Sequence, residues 1–132
     1  MQLLLIVAIV ACSAFALFVA RSRALRVYLS RACQGSAWKR AFPQARARDI
    51  RAFLDTFVGA FAFSNSHRLK FSPADGIMDI YRASNPGGLV DALELESFAV
   101  ALERRYKFSL KQSWRPGLTL GELFALVRGY AP

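Results

Sequence analysis

The apolar positions of this chain fall into two regimes. From Leu3 to Ala20 the run LLLIVAIVACSAFALFVA carries no charge. At 1.5 Å rise per residue it would extend about 27 Å as a helix, close to the hydrocarbon thickness of a bilayer. The pattern predicts a transmembrane helix over residues 1–20, in which Ser13 bonds back to its own helix. Beyond it the apolar residues become periodic. Ile50, Phe53, Leu54, Phe57, Val58 and Phe61 recur at helical spacing, so a helix with one apolar face is predicted from about Arg46 to Phe63.

Turn residues punctuate the chain after Phe63. A loop is predicted over Ser64–Asp75, where His67, the one histidine, sits with no partner in a recognisable motif. A short helix is predicted over Gly76–Arg82, with Ile77, Ile80 and Tyr81 inward, followed by an Asn85-Pro86-Gly87-Gly88 turn. The next helix is expected to start at Asp91. There Asp91 and Glu94 have the spacing of a capping box, and Leu95, Phe98, Leu102 and Tyr106 form a stripe. Lys107 ends it, Phe108–Leu110 connects, and Trp114–Gly117 turns. Thr119 with Glu122 predicts a capping box for a last helix with Leu120, Leu123, Phe124 and Val127 inward, closed by Gly129. No strand pattern competes, and the fold class is all-α.

Charge changes the picture through its position. The net charge is +9. Nine basic residues lie between Arg21 and Arg51 against one acid, Asp49, a net of +8, and the remainder of the chain carries +1. The excess is therefore a juxtamembrane collar. It suits anionic lipid headgroups, each basic residue near such a surface being worth roughly 1 kcal/mol; nucleic acid is not needed to explain it. Residues 21–46 are expected to form a basic linker, in which Ala24 to Ala32 either prolongs the helix or lies along the membrane surface, with Arg21, Arg23, Arg26, Arg31, Lys39 and Arg40 at that surface. Trp38 between those cations suits an interfacial anchor, and equally suits packing on the helical domain.

Basic residues after the apolar run and none before it orient the C-terminal side toward the cytoplasm. The expected location is a bacterial-type inner membrane, crossed once. A cleaved signal peptide wants a basic start and a shorter apolar stretch, and Met1-Gln2 supplies no charge. A lipoprotein signal ending at Cys12 fails on the same grounds. Cys12 lies in the apolar run and Cys33 outside it, so a disulfide between them is not expected. No metal spacing, no nucleophile paired with a base and no phosphate-cradling glycine loop stands out, so neither a metal nor catalysis is expected.

The segment Asp91-Ala92-Leu93-Glu94, then SFAVALERRY, then KFSL, then Thr119-Leu120-Gly121-Glu122-Leu123 resembles an acyl carrier protein. The likeness extends in topology over about residues 48–130 and is specific over about 91–123. It implies an acyl-carrier-like four-helix bundle at residues 47–130, three longer helices plus one short. It also implies a prosthetic-group site at position 92 and a partner-binding surface of Asp91, Leu93, Glu94, Glu96 and Ser97. Three departures matter. The family attaches 4′-phosphopantetheine to a serine, and Ala92 has no hydroxyl to form the phosphodiester. Gly87-Gly88-Leu89-Val90 also replaces the usual lead-in, and Arg104 and Arg105 interrupt the acidic helix face. No cofactor is expected unless position 92 is serine in the native protein.

Three functions are compatible with these features. The first is a non-acylated docking or regulatory module that binds a membrane enzyme or assembly. The second is a membrane-anchored acyl carrier whose serine is altered at position 92. The third is a structural small subunit of a membrane complex.

Overall fold

The computed structural model describes residues 1–86 and 92–130. Among them every regular element is a helix, and an isolated antiparallel bridge joins Gly76 and Thr119. Seven α-helices run as α1 (Gln2–Leu29), α2 (Gly35–Ala41), α3 (Ala47–Ala60), α4 (Ile77–Ser84), α5 (Leu93–Tyr106), α6 (Leu110–Ser113) and α7 (Leu120–Arg128), with a 3-10 helix at Asn65–Lys70 between α3 and α4.

α1 does not stop where the apolar run stops. Residues 21–29 contain neither glycine nor proline, and the helix continues to Leu29. Its first part is long and apolar enough to cross a membrane and touches nothing else in the protein. Ser13 donates to the Ile9 carbonyl at 2.8 Å, the expected back-bond. Its last two turns are different. Leu25 is buried, Tyr28 and Leu29 pack against the domain core, and the Tyr28 ring lies 6.0 Å from that of Phe71.

Residues 21–46 are therefore not a peripheral linker. α2 inserts Trp38 into the core at 1% exposure, and its Nε1 donates to the Phe71 carbonyl at 2.8 Å. This corrects the placement of Trp38 at a membrane surface. The indole is stacked on Phe42 and meets Phe124 edge-on at 5.7 Å, leaving no face for lipid. The domain core begins at Trp38, ahead of the expected boundary at residue 47.

α3 is the centre of that core. All six members of its predicted stripe are buried. Phe53 meets Phe124 at 5.3 Å, and Phe57 meets Phe71 and Phe98 at 5.2 and 5.4 Å, mostly edge-to-face, the arrangement ring quadrupoles favour. The helix ends at Ala60, short of the expected Phe63. Ala62 adopts a left-handed φ of 57°, its amide reaches the Gly59 carbonyl, and the Phe63 amide reaches Val58 at 2.8 Å. That Schellman closure folds Phe63 back onto Phe61 and Phe71. The same device recurs at the end of α7. There Gly129 (φ 70°) lets the Tyr130 amide bond to Ala125 and swings the ring over Phe42 and Phe124.

The predicted loop 64–75 holds the 3-10 helix, which Arg68 fastens to α3 through both oxygens of Asp55 at 3.0 and 3.2 Å. The turn after it is clasped by the chain entering α7. The Leu120 amide donates to the Asp75 carbonyl, Gly121 to Pro73, and Ile77 to Leu118. A Cβ on Gly121 would stand 2.8 Å from the Pro73 carbonyl oxygen, so a glycine is required there by proximity.

Beyond α1, α3 and α5 are the longest helices among the described residues at 14 residues each, α7 has nine, and α2, α4 and α6 are shorter still. α5 is described from Leu93, with Ala92 as its N-cap residue and no side-chain cap hydrogen bond there. The expected cap, Asp91, lies outside the described residues. Phe98 and Leu102 are buried as predicted, with Leu95 and Tyr106 half-buried.

The capping box of α7 forms as predicted. Glu122 N donates to Thr119 Oγ1 at 3.1 Å and Thr119 N donates to Glu122 Oε2 at 2.9 Å. The Thr119 amide, with Arg115 2.6 Å away, holds the Glu122 carboxyl below its ordinary range. Because the folded value is depressed, this contribution is present above the ordinary carboxylate range and fades as the pH falls through the lower folded value. Thermal unfolding should show Glu122→Gln less stable than the wild type at pH 7, with the gap closing as the pH falls below the ordinary carboxylate range. Thr119→Ala should cost about 1 kcal/mol at neutral pH.

Candidate docking face and membrane-proximal surface

The residues singled out near position 92 sit on one helix but face two ways. Ala92, Leu93, Glu96 and Ser97 are exposed, while Glu94 is half-buried. Glu94 Oε2 is shielded and has no hydrogen-bond partner among the described residues. The outward face of α5 is built from Leu93, Glu96, Ser97, Val100, Ala101 and Arg104, at successive helical spacings. Leu93 is 59% exposed and Val100 50%. Both are apolar groups on a helix whose opposite side already fills the core with Phe98 and Leu102. Sequence reasoning missed Val100 and Ala101, because the capping and stripe residues point to the buried side. The signal was present as Leu93 to Val100, an i to i+7 pair off the core stripe.

Arg105 is withdrawn from this face and donates to Thr56 Oγ1 on α3 at 3.2 Å. Arg104 remains on it. The face is thus mixed in charge, with Glu96 and Arg104 flanking the apolar pair. As alanine, residue 92 offers no nucleophile at the start of the helix.

The collar residues also divide. Arg21, Arg23 and Arg26 are exposed along α1, and Lys39 and Arg40 are exposed on α2. Arg31 is not part of that surface. Its guanidinium grips Asp75 with both nitrogens, at 2.8 and 2.9 Å, and the Asp75 side chain is only 9% exposed. That hydrogen bonding raises the Arg31 pKa and holds the side chain charged and in place. Asp75 Oδ2 also accepts from the Ser72 amide at 2.7 Å, and Lys70 Nζ donates to the Arg31 carbonyl. The Arg31 guanidinium further stacks over Tyr28, 4.9 Å from its ring centre. The end of α1 is thus clamped to the turn before α4, and α4 itself packs along α1. Asp75, Tyr28 and Lys70 carried no local sequence signal of this role.

No group of three or more His, Cys, Asp or Glu side chains arranged to hold a metal occurs among the described residues, and Cys12 and Cys33 are free and exposed. No family model, no curated protein and no solved structure matches the chain.

Proposed function

We propose that this chain is a membrane-tethered docking module that holds a membrane enzyme or assembly at the cytoplasmic face and carries no acyl group. The supporting observation is the outward face of α5, where Leu93 and Val100 are exposed beside Glu96 and Arg104. Exposed apolar groups in a row, rimmed by charge, mark a surface for a protein partner. The acyl-carrier resemblance adds a second support, since its recognition helix coincides with α5. The N-terminal helix keeps the domain in the plane of the membrane, which turns a weak contact into a frequent one by raising the effective concentration of a membrane-resident partner.

The test is capture from detergent-solubilised membranes with the full chain as bait. One stoichiometric partner is expected. Leu93→Arg with Val100→Arg should reduce its recovery by about tenfold or more, since a charge buried at the centre of a contact costs well over 1.4 kcal/mol. Neither position is in the core, so the helical circular dichroism should not change. Recovery unaffected by both changes, but abolished when Leu3–Ala20 is replaced by an unrelated apolar segment, makes the chain a structural subunit assembled through its membrane helix and overturns the docking reading.

A further inference from the structure

α1 carries a second feature, independent of α5, at the point where its apolar part ends. Phe18, Arg21, Ser22, Leu25, Arg26 and Leu29 line a shallow cleft of about 440 Å³ running along one side of the helix. The spacing is that of a single helical face. Every lining residue comes from α1, and Leu25 is the buried one among them. The floor is apolar, from Phe18, Leu25 and Leu29. Arg21 and Arg26 are its cations, exposed, in none of the ion pairs among the described residues, and no carboxylate lines the cleft.

We propose that this cleft is a binding site for one anionic glycerophospholipid, distinct from the diffuse attraction of the collar. The inference rests on the reading of Leu3–Ala20 as a membrane anchor. Phe18 then lies within the hydrocarbon and Arg21 and Arg26 lie about 4–12 Å further along the axis, the span from the acyl boundary through the headgroup layer. A molecule occupying the cleft must therefore have its apolar end in the bilayer and its negative end among headgroups. The two guanidiniums take the lipid phosphate between them, the Ser22 hydroxyl is available to donate to an ester or phosphate oxygen, and an acyl chain lies against Phe18. Arg23 projects from a different side of the helix and is not part of the cleft. Arg31 is committed to Asp75.

The test is native mass spectrometry of the full chain released from nanodiscs of phosphatidylcholine containing phosphatidylglycerol. One phosphatidylglycerol per chain should be retained, with a preference over phosphatidylcholine of about thirtyfold, the effect of two headgroup contacts. Arg21→Ala with Arg26→Ala should abolish the retention. Arg23→Ala with Arg40→Ala removes the same charge off the cleft and should leave it intact. Equal loss in the two double variants would reduce the cleft to a diffuse collar, and equal retention of phosphatidylcholine would remove its selectivity; either result overturns the proposal. The readout needs no partner protein, so its failure leaves the docking face of α5 untouched. Failure of the chain to enter nanodiscs at all would instead overturn the anchor reading on which the cleft depends.

Discussion

Trp38→Ala should cost about 3–5 kcal/mol of stability, the range for removing a large buried aromatic. The indole is fully buried between Phe42, Phe53 and Phe124, which come from three separate segments of the chain. Alanine removes those contacts together and leaves a cavity that no single neighbour can fill. It also strands the Phe71 carbonyl, which loses its only side-chain donor among the described residues. Trp38→Phe separates the two contributions. It keeps most of the ring volume and loses the hydrogen bond, so its cost should be roughly 1–2 kcal/mol. Chemical denaturation of the detergent-solubilised chain measures both. If Trp38→Ala unfolds at the wild-type denaturant midpoint, the indole is not part of the core. The same experiment bears on where the tryptophan resides: an interfacial Trp38 would be neutral to folding and would alter lipid association instead.

The case of Trp38 shows what the sequence reveals and what it conceals. The stripe of α3 was legible because six apolar residues keep one period over more than three turns, and a pattern that long has few other solutions. The Thr119–Glu122 cap was legible because both partners lie within one turn. α2 has seven residues, too few for a period to stand out, and its Lys39 and Arg40 gave it the look of a collar. The burial of Trp38 is decided by Phe71 and Phe124, far away in the chain. The early end of α3 was hidden for a different reason. Alanine is a good helix former, and Ala62 takes a left-handed conformation because closing the helix there buries Phe63. Tertiary packing outweighs the local preference, which is worth about 1–2 kcal/mol.

The candidate site was legible to a similar extent. Leu93, Glu96 and Ser97 do share the outward face of α5, while Glu94 turns inward and Asp91 lies outside the described residues. The collar was legible as composition but not as geometry. Which of its residues stay exposed, enter the core or pair with an acid is decided by contacts between distant parts of the chain. Arg31 and Asp75, 44 residues apart, are the clearest instance.

That pair supports the second large effect. Arg31→Ala should destabilise the domain by about 2–3 kcal/mol, less than the 3–5 kcal/mol seen when a fully buried pair is broken, because the arginine is a quarter exposed. The alanine variant leaves the Asp75 carboxylate nearly buried without its cation. It also removes the platform over Tyr28. Asp75 sits at a junction, since its side chain holds α1 and the Ser72 amide while its carbonyl holds the Leu120 amide at the entry to α7. Loosening it should therefore be felt at both ends. Hydrogen exchange should accelerate at Tyr28–Arg31 and also at Leu120–Gly121, although these segments are remote from each other in sequence. A double-mutant cycle with Asp75→Ala isolates the pair: the combined cost should fall well short of the sum of the single costs. Additive costs would show that the two side chains act separately, and the end of α1 would then be held by Leu25 and Tyr28 packing alone. The distinction matters for the tether. With the ion pair intact, the end of α1 is clamped to the domain, and under the proposed tether the orientation of the α5 face follows that of α1. Without it the end of α1 is held by the packing of Leu25, Tyr28 and Leu29 alone, and the same face samples a wider range of orientations. The Arg31→Ala chain should then capture its partner less efficiently even though every residue of the docking face is unchanged.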